Sequence, residues 1–280
     1  MTTAFLPDRI LLHVTGADAE KFLQGLITTD LDSLPTDEAR PGALLTPQGK
    51  ILFTFLIWRS GSGFILDTDR DQSAALAQRL SMYKLRAAVD VTAGESDGVT
   101  LSWDIERPSG SVVDHRFAKA GVALYRVPGR HGDGPAASYD ALRIANGIAV
   151  SGRDYALQDA FPHDVLMDLN GGLSFRKGCY IGQEVISRMH HRGTARRRVV
   201  IVQGNADLPP GGTDIVIGGK TAGTLGTVIG PAALAIVRID RVGEAISEGT
   251  PILAGDVPVE VTLPAWSGLS FPEAGDEAQS

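Results

Sequence analysis

Short apolar runs alternate with polar positions along the first half of the chain, and their period switches between that of a strand and that of a helix. Residues 9–14 read as a strand, and Thr15-Gly16-Ala17-Asp18 offers a capping-box-like start to a short helix. That helix turns Phe22 and Leu23 inward and stops at Gly25. Residues 43–45 and 51–59 predict a hairpin across Thr46-Pro47-Gln48-Gly49-Lys50, because Pro and Gly supply turn chemistry between two apolar strands. A strand follows at 63–67, and 71–85 carries Leu76, Leu80 and Tyr83 at helical spacing. Strands at 88–92, 99–103 and 122–127 complete an α+β block.

Residues 128–135, Pro-Gly-Arg-His-Gly-Asp-Gly-Pro, form the clearest loop and mark a domain crossing. Residues 136–146 read as a helix ended by Gly147 that bears Tyr139, Leu142 and Arg143. From 199 onward, glycine punctuates apolar runs at 199–202, 214–217, 224–229, 234–239, 251–253 and 257–263, which predicts a small β-barrel or sandwich. The polar tail after Trp266 is expected to be disordered.

A length of 280 residues implies two or three domains. No apolar run approaches the roughly 18 residues of a membrane span, and the first residues resemble no secretory signal. One cysteine cannot form an internal disulfide, so a cytoplasmic location is expected. The formal charge of −7 argues against a surface coated by nucleic acid. Between Arg176 and Arg198, however, Glu184 is the only acid among seven Arg or Lys residues and the pair His190 and His191. That cluster is either a solvated face or a site for carboxylates or phosphates.

Its centre is the run Phe-Arg-Lys-Gly-Cys-Tyr-Ile-Gly-Gln-Glu-Val-Ile-Ser-Arg from 175 to 188, which holds the sole cysteine, Cys179. Lys177 two residues before it, and a helix expected over 183–189, both favour a thiolate. A buried cysteine serving as a small hydrophobe is the alternative, but flanking glycines and charges describe a loop better than a core. Gly218-Gly219-Lys220-Thr221 ends like a phosphate-binding loop but lacks its opening glycine, since Asp214 stands there. Gly61-Ser62-Gly63 lacks the third glycine of a dinucleotide fingerprint. Cys179, His190 and His191 are too few for a zinc site, and a Cys-His pair with His163, His190 or His191 needs a distance that sequence does not supply.

Lys177-Gly178-Cys179-Tyr180-Ile181-Gly182-Gln183-Glu184, with Arg188 and Arg192-Gly193, resembles the signature of YgfZ-type folate-binding proteins, relatives of the glycine-cleavage T-protein. Weaker matches lie at Val14–Asp18, Phe22–Gly25, Gly49-Lys50, Leu142–Ile144 with Gly147, and Asn170–Phe175. The resemblance implies an α+β fold of T-protein-like folate-binding architecture, with two α+β portions and a C-terminal β-barrel around a central hole. The corresponding domains are 1–45 with 128–198 (folate-binding), 46–127 (ferredoxin-like) and 199–266 (barrel), followed by the tail 267–280. It further implies tetrahydrofolate as cofactor and a role as accessory factor for iron-sulfur proteins, indirectly supporting tRNA thiomethylation, with iron-sulfur client or scaffold proteins as partners. No direct nucleic-acid or membrane partner is expected. Lys177 and Cys179 match the positions the family depends on. Tyr139 and Arg9 fall at folate-contact positions, with Tyr180, Gln183, Glu184 and Arg188 beside them, and no metal ligands are implied. The aminomethyltransferase relatives carry an acid where this chain reads Ile51-Leu52-Phe53-Thr54, which leaves proton transfer without its agent. A folate-dependent one-carbon transferase, and an interaction module without folate chemistry, are the alternative functions.

Overall fold

The computed structural model describes residues 2–95 and 97–272. The chain forms two compact units, one holding the described residues up to Tyr139 together with Met167–Gln183, the other holding Asp140–Leu166 and the residues from Glu184 on.

The first unit contains β1 (Thr3–Leu6), β2 (Arg9–Thr15), α1 (Ala19–Gln24), β3 (Glu38–Leu45), β4 (Ile51–Ser60), β5 (Gly63–Asp69), α2 (Arg70–Tyr83), β6 (Asp90–Ala93), β7 (Val99–Trp103), β8 (Val112–Asp114), α3 (His115–Ala118), β9 (Leu124–Pro128) and the start of α4 (Ala136–Ala145). Nine strands share one sheet in the order β1-β7-β9-β8-β3-β4-β5-β2-β6. Its two halves join where β3 runs parallel to β8, pairing Glu38 with Val113 and Ala39 with Asp114. Helices α1 and α2 bury Leu23, Leu76 and Leu80 against Leu12, Phe55, Ile57 and Leu66 of the sheet. Each such aliphatic side chain contributes about 1.5–3 kcal/mol when fully buried.

Several local expectations change. Strand β1 has no counterpart in the sequence pattern, and it is held by β7, with Phe5 opposite Thr100. Strand β3 begins at Glu38 rather than 43, because Ala39-Arg40-Pro41-Gly42 lacks a strand pattern yet packs tightly: a Cβ on Gly42 would collide with Thr29 Oγ1. Asp18 makes no side-chain cap to α1. Its carboxylate instead accepts from the Ala88 backbone N–H at 2.8 Å, tying the start of the helix to the turn after α2.

The second unit contains the rest of α4, most of α5 (Gln183–His191), β10 (Arg197–Gly204), β11 (Asp214–Ile217), β12 (Lys220–Ile229), β13 (Ala232–Arg238), α6 (Ile239–Glu248), β14 (Ile252–Ala254) and β15 (Val257–Thr262). The six strands close in the order β10-β13-β12-β11-β14-β15, so the glycine-punctuated runs make a barrel and not a sandwich. Closure comes from β15 on β10, with Ile201 opposite Thr262. Gly218 and Gly219 both have positive φ and form the two-residue turn of the β11–β12 hairpin, which accounts for this glycine pair without a phosphate. Helix α6 is a further addition to the expected elements; its Val242 and Ala245 join the barrel core at a spacing of three.

Arg143, fully buried, donates to Asp140 at 2.8 Å, to Asp154 at 2.6 Å and to Thr227 of β12. Asp154 also accepts from the backbone N–H groups of Val150 and Thr227. The tail expected to be disordered from 267 is ordered at first, since Phe271 packs against the barrel core. Residues 273–280 lie outside the described residues. No helix among the described residues is long and apolar enough to cross a membrane.

Candidate functional site

Cys179 is exposed on a loop fastened at both ends. On its N-terminal side, the Ser174 N–H donates to Thr28 O at 3.0 Å, and the Ser174 hydroxyl oxygen accepts from the backbone N–H groups of Arg176 and Lys177. Thr28 itself is buried; its hydroxyl donates to Gly172 O at 2.6 Å and accepts from the Ala43 N–H. Lys177 then turns inward, only 9% exposed, and its ammonium donates to Ile27 O at 2.9 Å and Thr29 O at 2.6 Å. The Tyr180 ring lies 5.6 Å from that nitrogen, and the Tyr180 hydroxyl donates to Ser174 O at 3.2 Å. On the C-terminal side Gly182 adopts φ +79°, and a Cβ there would come within 2.6 Å of Thr46 O in the β3–β4 turn. Cys179 is thus an exposed point between two anchors in the same unit, and α5 starts four residues later.

Burial pushes the Lys177 ammonium down to about 8, partly opposed by the negative charges of Asp30 and Asp32. Burial likewise raises the Tyr180 phenol above its ordinary range. The lysine expected to favour a Cys179 thiolate is therefore bound to two backbone carbonyls, where it fixes the loop. Gln183 meets the same loop, its side-chain oxygen accepting from the Tyr180 N–H at 3.4 Å. Glu184 and Arg188 lie 3.6 Å apart along α5 and are both exposed.

Arg9 and Tyr139 converge elsewhere, on a buried chain of charges. The Arg9 guanidinium donates to Asp67 Oδ1 and to Asp69 Oδ1, each at 2.6 Å, and to Asp67 O at 2.7 Å. Asp67 Oδ2 accepts two hydrogen bonds from Arg126, which reaches on to Asp114 at 3.1 Å. Arg116 pairs with Asp114 at 2.7 Å and donates to the Tyr139 hydroxyl at 3.2 Å. Burial alone would raise the two carboxylates, but Arg126 and Arg9 around Asp67, and Arg116 around Asp114, hold both below the usual aspartate range. Tyr139 is 5% exposed with its ring tilted on Phe117 at 5.9 Å, and it is packed as a core residue. Sequence reasoning does not find Asp67, Asp114, Arg116 or Arg126. The available signal is charged residues inside apolar strand patterns, as with Arg126 in Leu-Tyr-Arg-Val-Pro.

In the second unit His163 and His190 have ring centroids 6.3 Å apart, and His190 and His191 5.6 Å apart. Arg198 donates to His163 O, and Arg197 lies 3.4 Å from Asp159, so part of the basic run is internally paired. Among the described residues no group of three or more His, Cys, Asp or Glu is placed to hold a metal ion.

Residues 196–269, which span the barrel, match the family described as CAF17, C-terminal beta-barrel domain. The iron-sulfur cluster assembly factor IBA57, mitochondrial, of Homo sapiens is 31% identical over 302 residues, covering 90% of this chain and 83% of that protein. The chain belongs to the IBA57 family of iron-sulfur cluster assembly factors. The IBA57 homologue of Chaetomium globosum, also named mitochondrial, is 28% identical over 98% of this chain and 76% of its own length. Of several other fungal IBA57 homologues the chain spans little more than half. The crystal structure of the glycine cleavage system aminomethyltransferase T from Bartonella henselae superposes with a TM-score of 0.70 over 97% of this chain and 87% of that one, at 15% identity. The T-protein-like fold is therefore shown, and the YgfZ-type resemblance narrows to the IBA57 name. The cytoplasmic expectation is overturned: it rested on a lone cysteine and no recognised leader, whereas IBA57 relatives from human, mouse and fungi are named mitochondrial.

Proposed function

We infer that this chain is an accessory factor in iron-sulfur protein assembly, acting through Cys179. The observation that carries the reading is the presentation of the chain's sole thiol, exposed on a loop whose flanks are bonded to Ile27, Thr28 and Thr29 and packed on Thr46. IBA57 membership supports the cargo. A cluster normally takes four ligands, so a single thiolate contacts one only in company with a partner's ligands. Iron-sulfur client or scaffold proteins are the partners this reading requires. Replacing Cys179 by Ser tests it, in cells that lack their own relative and receive this chain. The variant should fold like wild type and fail to restore the activity of an iron-sulfur enzyme; full restoration would remove Cys179 from the function.

Tetrahydrofolate comes with the resemblance to folate-binding relatives. Three of the six side chains that the resemblance assigns to it are already engaged: the Arg9 guanidinium is bonded to Asp67 and Asp69, and the Tyr139 and Tyr180 rings are buried. For the one-carbon transferase reading, Asp67 and Asp114 are poor candidates for the base, because arginines favour their ionised form and so make them weak proton acceptors. Anaerobic calorimetric titration with tetrahydrofolate separates the two parts of the reading. Saturable binding would place a folate site on residues other than these three, and no binding would leave the thiol function standing alone.

A further inference from the structure

The turn after α2 presents an apolar tip that the fold does not need. Leu85 is 87% exposed and Met82 62%, the two most exposed large hydrophobic side chains among the described residues. Leu85 also has φ +43°, a left-handed conformation rarely adopted by leucine and relieved by glycine. The turn is nevertheless rigid. Ala87 N–H donates to Lys84 O at 2.7 Å, the Lys84 ammonium donates to Val89 O at 3.0 Å, and Asp18 accepts from Ala88 N–H at 2.8 Å. Gly16 packs so closely on Ala88 O that any side chain there would collide with it. An exposed leucine held in a strained conformation by a pinned turn is preorganised, and strain of this kind is characteristic of recognition sites.

The rim is of mixed charge, with Asp18 bonded to the turn and Asp90 facing Lys84, and it leaves arginines unpaired. Arg79 and Arg86 make no ion pair among the described residues, and Lys84 approaches Asp90 only to 3.9 Å. The apolar side of α2 is already spent, since Leu76 and Leu80 are fully buried. No amphipathic face is therefore left to lie on a lipid surface. We propose that the tip docks a partner protein of iron-sulfur assembly, with Met82 and Leu85 entering an apolar pocket and Arg86 meeting carboxylates at its rim. The proposal rests on the assembly-factor reading above, because that reading supplies the class of partner.

The test introduces wild type, Leu85→Gly, Met82→Ser, Arg86→Glu and Cys179→Ser separately into cells lacking their own relative, and reads iron-sulfur enzyme activity beside the melting temperature of each purified chain. Leu85→Gly should melt at or above the wild-type temperature yet lose at least about tenfold in restored activity, and Arg86→Glu should lose severalfold. Met82→Ser leaves the backbone untouched and decides the matter if Leu85→Gly unfolds. Full activity in both tip variants while Cys179→Ser is inactive overturns the docking proposal alone. Full activity of Cys179→Ser with inactive tip variants overturns the thiol reading and leaves docking in place. A wild-type chain that restores nothing overturns both. Co-sedimentation of wild type, but not Leu85→Gly, with phosphatidylserine–phosphatidylcholine vesicles would assign the tip to a membrane and overturn the proposal. Concentration-dependent dimerisation lost in Leu85→Gly would do so in favour of a second copy.

Discussion

Replacing Lys177 by Met asks whether the thiol loop is anchored by a buried cation. In the folded chain the ammonium is only 9% exposed and titrates near 8, against an ordinary lysine value of 10.5. Below pH 8 the side chain is protonated in both folded and unfolded states, so its contribution to stability does not change with pH. As pH rises above 8 the folded chain releases the proton while the unfolded chain keeps it, and wild-type stability therefore increases relative to a variant without the amine. The interval from 8 to 10.5 corresponds to roughly 3 kcal/mol at about 1.4 kcal/mol per unit, of which about 2 kcal/mol is reached between about pH 7.5 and pH 10. The assay is urea unfolding of the chain with its native lysine and of Lys177→Met at both pH values, in a Cys179→Ser background so that thiol ionisation is excluded. The stability difference, native lysine minus Lys177→Met, should become more positive by about 2 kcal/mol at about pH 10. A difference unchanged within about 0.5 kcal/mol would refute a buried ammonium at this anchor.

Four further outcomes follow from the same packing. Asp67→Asn removes the charge that pairs Arg9 with Arg126, and should cost about 3–5 kcal/mol, read as a lower urea midpoint with unchanged slope. Because Asp67 and Asp114 are held below the usual aspartate range, the stability they contribute is present at neutral pH and lost as pH falls below about 4, so acid unfolding of wild type should be steeper than that of Asp67→Asn. Gly182→Ala, at φ +79° and against Thr46 O, should cost at least about 1 kcal/mol and speed amide exchange across residues 177–182 without altering the barrel. Arg143→Met leaves Asp140 and Asp154 without their shared cation and should lower stability by about 3–5 kcal/mol, visible in the melting temperature.

The apolar pattern locates β2, β4, β5 and α2 because α2 buries Leu76 and Leu80 at helical spacing, while the strands bury continuous runs, as β5 does from Gly63 to Thr68. Strand β1 escapes because four residues are too few to show a period, and its pairing partner lies nearly a hundred positions away. Helix α6 escapes because Ile239, Val242, Ala245 and Ile246 sit among the regularly spaced strands of a barrel, where a short apolar run is ambiguous. At the site, Cys179 and its turn are legible from glycine and charge, whereas the direction of Lys177 is not. Its partners are backbone carbonyls of Ile27 and Thr29, which carry no residue-type signal at all. Arg9 is ambiguous for a related reason: an arginine suited to a ligand carboxylate is equally suited to Asp67, and the pairing of β2 with β5 places it beside the latter.

The two ends of the nine-stranded sheet are β1 and β6, each only four residues long, with Asp90 exposed at the start of β6. Edges so short offer few unpaired amides on which another chain can add a strand, so the sheet is poorly suited to template aggregation even when its ends fray. The barrel has no edge while closed, and it is sealed by β15 lying on Ile201–Gly204 of β10, a seam of four residue pairs from which Val202 joins the core. Local opening there would uncover an edge no longer than those at the ends of the sheet, with Gln203 and Gly204 in it, so the seam too offers a second molecule little to pair with.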